Sequence, residues 1–294
     1  MTSSPGLVRR AVRVLRHFAS TRAMEVLALQ ASPILGSFLG GYSAECCSVI
    51  PLGLLLLGSC ALTAHIFVFN DWAGDDSDLR DPLRAPVVFS RRGIGRREVA
   101  CAAIALLILA NVAFAAISVQ ALLLGAAIAA LGVLYSASPV LGKSTPIAAS
   151  LNHLIGGTLH FLLGYTLAHA LDAKGLGIGL FFGLVFAGGH LNQEVRDYEG
   201  DRLNGIRTSA VVFGRQRAFL ASLFTFTAAY AMLTGLAAVG FLPRLLLWSP
   251  AAGLLHIAWS LQALRRGLDF ETALWMQRRY RCLFALVGLA MLAG

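Results

Sequence analysis

Two short segments concentrate the acidic residues of this chain. They are Asn70-Asp71-Trp72-Ala73-Gly74-Asp75-Asp76-Ser77-Asp78 and Gln193-Glu194-Val195-Arg196-Asp197-Tyr198-Glu199-Gly200-Asp201. Of 15 Asp and Glu in 294 residues, nine (Asp71, Asp75, Asp76, Asp78, Asp81, Glu194, Asp197, Glu199 and Asp201) lie in or beside them. Carboxylate and amide oxygens are the ligands that hard divalent cations prefer, and acids gathered against a bilayer are costly unless they serve a function. Continued as helix at about 100° per residue, Asp75 and Asp78 stand about 40° and 20° either side of Asp71, a single carboxylate face. In the second segment Asp197 and Asp201 fall about 60° and 20° from Glu194. Two such faces repel each other unless a divalent metal lies between them. Mg²⁺ takes one or two carboxylates and shares its other positions with phosphate oxygens and water. Arginines follow both segments and can hold the remaining oxygens of a diphosphate by forked hydrogen bonds. Solvated helix caps are the ordinary alternative; two clusters in register, in a chain so poor in acids, argue against it.

The elements that must carry these segments are helices in a membrane. Hydrophobic residues are 57% of the chain, charged residues 13%, and the mean hydropathy is +0.72. That composition belongs to polytopic membrane proteins. Apolar stretches able to cross about 30 Å of hydrocarbon run over residues 24–42, 49–70, 99–119, 121–138, 147–170, 176–193, 218–239, 244–264 and 280–294. The fold expected is therefore all-α, with about nine transmembrane helices. Both acidic segments fall at the ends of apolar runs, the second and the sixth. Asn70-Asp71 with Asp78 and Gln193-Glu194 with Asp201 repeat the same offsets, which predicts two four-helix pseudo-repeats plus one helix. No soluble domain or linker remains, so residues 1–294 are expected to form a single domain.

Basic residues set the orientation. With the N-terminus and every second loop on one side, that side carries 22 of the 24 Lys and Arg, leaving only Lys174 and Arg244 opposite. The positive-inside rule puts the N-terminus and both acidic segments in the cytoplasm and the C-terminus outside, in what is expected to be the plasma (inner) membrane. Topology and attraction to anionic lipid account for the net charge of +9, so no nucleic-acid partner is expected. Cys46, Cys47, Cys60, Cys101 and Cys282 are odd in number and lack CxxC spacing, which speaks against a disulfide framework or zinc site. The basic start has no short apolar core with a cleavage site, and is read as leading into an uncleaved first helix.

A third segment, Tyr135-Ser136-Ala137-Ser138-Pro139-Val140-Leu141-Gly142-Lys143, completes a pattern. The chain resembles the UbiA superfamily of intramembrane prenyltransferases. That family carries N-D-x-x-D-x-x-x-D after its second helix, a Y-S-x-x-P loop with a trailing basic residue, and D-x-E-G-D-x-x-x-G-x-x-T after its sixth. Asp197-Tyr198-Glu199-Gly200-Asp201-Arg202-Leu203-Asn204-Gly205-Ile206-Arg207-Thr208 is similar to the last of these. The resemblance spans essentially the whole chain. It implies transfer of an isoprenyl group from a lipid-soluble allylic prenyl diphosphate, bound through Mg²⁺ between the motifs, to an aromatic or quinone-precursor acceptor. It implies Asn70, Asp71, Asp78, Asp197 and Asp201 as metal ligands, with Tyr135 and Lys143 approaching the diphosphate or the carbocation. Arg22 and Arg84 are looser matches to basic positions of the family, and Arg80 joins them on proximity.

One departure stands out. The family's acid at the fifth position of the first motif is Gly74 here, and an acid follows one place later at Asp75. If the helix end unwinds, which Gly74 permits, Asp75 is expected to reach the metal; otherwise that site has one ligand fewer. The altered motif keeps a second reading open, a terpene cyclase of the same superfamily that needs no acceptor. A non-enzymatic transporter using the acids as an ion site is a third; carriers, however, place such ligands at mid-membrane. Among the histidines, His153 and His160 share a helix face and are candidates for the base that takes the acceptor's proton; buried helix-to-helix bonding is the ordinary reading of these and of His65 and His190. Phe67, Phe69, Trp72, Phe161, Phe181, Phe182 and Phe186 are candidate walls of a prenyl chamber, or ordinary packing.

Overall fold

The computed structural model describes residues 5–43 and 48–293, so Cys46 and Cys47 lie outside the described residues. Cys60, Cys101 and Cys282 are free thiols. The described residues are helical throughout, in twelve α-helices joined by turns and short 3₁₀ stretches. They fall into two compact units, Met1–Ala31 with Ser48–Ser138, and Ser32–Cys47 with Pro139–Gly294.

The first unit contains α1 (Pro5–Leu29), α3 (Val49–Asp78), α4 (Arg96–Ala115) and α5 (Val119–Ala137). Ser48 starts α3 by accepting the Ile50 N–H (3.3 Å), and Ser118 starts α5 by accepting that of Ala121 (3.0 Å), each meeting a donor the helix itself cannot satisfy. The centre is a ring between two bare backbones. A Cβ on Gly58 of α3 or Gly125 of α5 would stand 2.6 or 2.4 Å from a carbon of Phe114, which is fully buried. Glycine on both sides is what lets α4 insert that side chain. At 1.5 Å per residue the 30 residues of α3 extend about 45 Å. The hydrocarbon takes about 30 Å of this, so α3 is longer than a span by about 15 Å.

The second unit holds α2 (Ala31–Leu39), α6 (Ala148–Tyr165), α7 (Ala173–Arg196), α8 (Tyr198–Leu203), α9 (Ser209–Phe213), α10 (Arg215–Ala238), α11 (Ser249–Arg266) and α12 (Phe270–Met291). Asp172 caps α7 through the Gly175 N–H (2.7 Å) and accepts the Tyr165 hydroxyl (3.0 Å), fixing the α6–α7 turn. A Cβ on Gly164 would lie 1.9 Å from the Pro33 carbonyl oxygen, so α2 and α6 touch backbone to backbone. Phe161, Tyr165, Ile178 and Leu233 are fully buried around α6, α7 and α10.

Two sequence expectations change. The first apolar stretch is not one helix: the chain turns at Gln30, and α2 packs with the second unit, while the other boundary, after Ser138, falls between the fourth and fifth apolar stretches. Among the described residues five helices (α3, α4, α5, α7 and α10) are long and apolar enough to cross a membrane. The other expected spans are helical too, but α2 is short and α6, α11 and α12 carry too many polar side chains to meet that measure. The protein is an integral membrane protein.

Candidate active site

In the first unit, α3 continues through the whole acidic segment. Its hydrogen bonding reaches past Asp78, with the Leu79 N–H bonded to the Asp75 carbonyl (3.0 Å). The unwinding at Gly74 does not occur; Gly74 is helical and buried. Asp71 receives the forked guanidinium of Arg22 from α1, Nε at 3.0 Å and Nη2 in a second contact. Arg22 also lies over the Phe67 ring at 5.6 Å. Burial of Arg22 opposes its charge, and the adjacent Asp71 carboxylate more than offsets this, raising its pKa. Asp78 takes Arg84 Nη1 at 3.2 Å. That return is made by a local turn: buried Asp81 accepts the Leu83 N–H (2.9 Å) and lies 3.6 Å from Arg84 Nε. Arg80 is exposed just past α3.

Asn70 and Asp75 separate in role. Asn70 Oδ1 is buried with no hydrogen-bond partner, an acceptor left over beside Asp71. Asp75, expected as a metal ligand, is 4% exposed and committed elsewhere. Its Oδ1 accepts the Ser90 hydroxyl (2.8 Å) and its Oδ2 lies 3.6 Å from Arg96. Arg96, which sequence reasoning missed, also reaches Asp76 (3.7 Å) and covers the Trp72 ring at 5.3 Å. Asp75 therefore fastens residues 90–96 to α3. The single carboxylate face expected for Asp71, Asp75 and Asp78 is split between different partners.

In the second unit the helix breaks at Asp197 (φ −89°, ψ 5°) and resumes as α8. The Asp201 N–H still bonds the Asp197 carbonyl (3.0 Å), which keeps the two acids one turn apart. The break lets both carboxylate oxygens of Asp197 accept the forked guanidinium of its neighbour Arg196, at 2.7 and 2.9 Å, while Arg196 Nη1 donates to Gln277 Oε1 of α12 (2.8 Å). Gly205 then turns the chain at φ 67°, and Thr208 caps α9 through the Val211 N–H (3.4 Å). These two positions explain the G-x-x-T that follows the acids: one needs a positive φ, the other a hydroxyl cap.

Tyr135 is half-buried on the last turn of α5, in the first unit; Lys143 is half-buried in the turns before α6, in the second, with no hydrogen bond or ion pair among the described residues. The histidines gain a partner that the sequence did not reveal. His153 of α6 and His190 of α7 stack face to face (centroids 3.9 Å, 9°), and His190 Nε2 lies 3.0 Å from Glu194 Oε1. Glu194 Oε2 accepts the Ala210 N–H of α9 (3.3 Å), and His153 Nδ1 lies 2.8 Å from the Ala149 carbonyl. His160 is buried edge-on to Phe186. His65 bonds the Ala103 carbonyl (2.8 Å) and joins α3 to α4, its ordinary reading. Phe161 and Phe181 are core packing.

Among the described residues no three His, Cys, Asp or Glu side chains converge as a ready metal cage. The donors present are nevertheless hard oxygens: the spare Asn70 Oδ1, Asp71 and Asp78 in one unit, Asp197 and Asp201 in the other. Such donors fit Mg²⁺ completed by water and phosphate oxygens. Arg22 and Arg196 set guanidinium forks on Asp71 and Asp197, and Arg84 makes a single contact to Asp78.

Comparison with known proteins gives a family and a fold. The model of the UbiA prenyltransferase family matches residues 33–285. A solved UbiA homolog from Archaeoglobus fulgidus, bound to GPP and Mg²⁺, is 21% identical and superposes with a TM-score of 0.71 over 97% of this chain and 100% of its own. An apo UbiA homolog from Aeropyrum pernix K1 gives 17% identity and a TM-score of 0.69 over 90% and 98%. A structure described as digeranylgeranylglyceryl phosphate synthase gives 19% identity and 0.70 over 96% and 98%. Comparison with curated proteins found no match.

Proposed function

Because the chain belongs to the UbiA prenyltransferase family, we propose that it transfers an isoprenyl group from an allylic prenyl diphosphate to an aromatic or quinone-precursor acceptor, working as one catalytic domain over residues 1–294. The observation that carries this reading is the pairing of site acids with arginines, Arg22 with Asp71, Arg84 with Asp78 and Arg196 with Asp197, beside the unpartnered Asn70 oxygen. A cation site alone has no use for three guanidinium groups among its acids; a metal-borne diphosphate uses both sets. The Archaeoglobus homolog's structures with GPP or DMAPP and Mg²⁺ support the same substrate class.

Asn70, Asp71, Asp78, Asp197 and Asp201 would hold Mg²⁺, which when bound supplies charge neutralisation for the departing diphosphate. Arg22, Arg80, Arg84 and Lys143 bind and orient the phosphate oxygens by charge-assisted hydrogen bonds. The allylic C–O bond breaks with its electron pair leaving on the diphosphate, and Tyr135 offers its ring face to the allylic cation. The acceptor forms the new bond through a ring carbon and gives up a proton. His153 suits the role of proton acceptor: the Ala149 carbonyl keeps the imidazole proton on Nδ1, so Nε2 is the basic nitrogen. Asp75 is left out of the ligand set; it secures the turn at Ser90 and the start of α4 at Arg96. The distribution of basic residues supports a cytoplasmic site, and the plasma membrane is the location proposed.

Cyclisation without an acceptor is a second reading, favoured by the glycine at position 74. Purified protein with Mg²⁺ and labelled geranyl, farnesyl and longer diphosphates, with and without aromatic acceptors, separates the two. Diphosphate release that depends on acceptor supports transfer. Hydrocarbon or terpene alcohol formed without acceptor supports cyclisation, and no metal-dependent turnover refutes both. Asp197→Asn is expected to abolish turnover in a folded protein; full activity would remove Asp197 from the metal set.

A further inference from the structure

We propose that the adjoining ends of α11 and α12 form a binding site for the phosphate headgroup of an anionic phospholipid, separate from the prenyl-diphosphate chemistry. A cavity of about 330 Å³ opens there, walled by Arg266, Arg278, Arg279 and Trp275, with Glu271 as its one acid. Arg266 and Arg279 lie over the Trp275 ring at 4.7 and 3.9 Å, and Arg279 also faces Trp259 at 5.5 Å. These cation–π contacts place the two guanidinium groups without using their N–H groups. None of the three makes a hydrogen bond or ion pair among the described residues, in contrast to Arg22, Arg84, Arg96, Arg196 and Arg215, each of which has a carboxylate. Asp269, at the start of α12, is spent on capping through the Thr272 N–H (2.8 Å). Three unspent forks against one acid are complementary to a phosphate.

The apolar surface on the same helix distinguishes a lipid from a free anion. Leu286 lies seven residues beyond Arg279, and Leu289 eleven beyond Arg278. At about 100° and 1.5 Å per residue, each leucine falls within about 20° of its arginine's direction, roughly 10 and 16 Å further along the axis. Both leucines are exposed, 62% and 67%. The face that ends in arginines therefore begins as hydrocarbon-facing surface, the order in which a phospholipid presents phosphate and acyl chain. Tryptophan at this level is the usual companion of the membrane–water boundary, and basic pockets between membrane helices bind anionic headgroups.

The test uses the full chain in detergent, titrated with phosphatidylglycerol, phosphatidylcholine or inorganic phosphate, with bound ligand counted by native mass spectrometry. Phosphatidylglycerol is expected to bind in preference to phosphatidylcholine. Arg278→Gln/Arg279→Gln should weaken it about thirtyfold, from the usual contribution of a basic residue at a membrane surface. Arg217→Gln/Arg265→Gln, an equal loss of charge outside the cavity, should change it by less than about threefold. An equal fall in both variants would overturn the site in favour of diffuse attraction. Inorganic phosphate that displaces the lipid at millimolar concentration would show a free-anion site instead. Should the glutamine variant not fold, Arg278→Lys/Arg279→Lys keeps the charge and loses the fork; unchanged lipid affinity in that variant also overturns the proposal.

Discussion

Asp75→Ala tests whether the displaced acid of the first motif is a ligand or an anchor. The Ser90 hydroxyl bond at 2.8 Å goes to a carboxylate that is 4% exposed, and hydrogen bonds to buried charged groups contribute about 1.5–3 kcal/mol. Arg96 at 3.6 Å has a side chain 44% exposed, so solvent screening limits that pair to about 1 kcal/mol or less. The variant should lose about 2–4 kcal/mol of stability, read by unfolding in mixed micelles. Ser90→Ala should lose about 1.5–3 kcal/mol, and the double variant should show coupling, since the two residues share one bond. Half-saturating Mg²⁺ for turnover should stay within about twofold of wild type. Wild-type stability together with a rise in half-saturating Mg²⁺ above about tenfold, some 1.4 kcal/mol of metal affinity, would refute the anchor and return Asp75 to the ligand set.

Gly164→Ala puts a methyl carbon 1.9 Å from the Pro33 carbonyl oxygen, where neither backbone can yield. It should cost about 1–3 kcal/mol or more, while Gly156→Ala, with nothing within 4 Å of the added carbon, should be neutral or stabilising by up to about 1 kcal/mol; thermal denaturation in detergent ranks them, and the reverse order would contradict the α2–α6 contact. His17 is buried on α1, and burial first, then Arg92, lower its pKa below the ordinary 6.5. The unfolded chain then binds the proton more readily, so stability is fully present above that value and declines as pH falls below it. His17→Gln should flatten that part of the stability–pH curve, and an unchanged curve would count against the burial.

The acidic segments were legible because a chain with few carboxylates placed them behind apolar runs, and the helices follow those runs closely. Residue spacing also put Asp71 and Asp78 on one side of α3. It could not tell which neighbour claims Asp75: Ser90 and Arg96 lie 15 and 21 residues further on, across a turn built by Asp81. Nor could it pair Arg196 with Asp197. Adjacent residues on a continuous helix do not face each other, and only the break at Asp197 brings them together. The stacked His153 and His190 depend on the approach of α6 to α7, where Gly183 sits against the Leu154 carbonyl.

The turn at Gln30 makes the amino-terminal helical region common property. α1 supplies the guanidinium that holds Asp71 in one unit, and α2 supplies the backbone surface against which α6 closes in the other. The segment matched by the family model begins at residue 33, after Arg22. A version trimmed to that segment would keep every carboxylate of both motifs, yet lose the guanidinium that grips Asp71. Modular boundaries drawn from the family pattern and from the chemistry do not coincide here. Fusions and truncations of this protein should be planned on the chemical boundary.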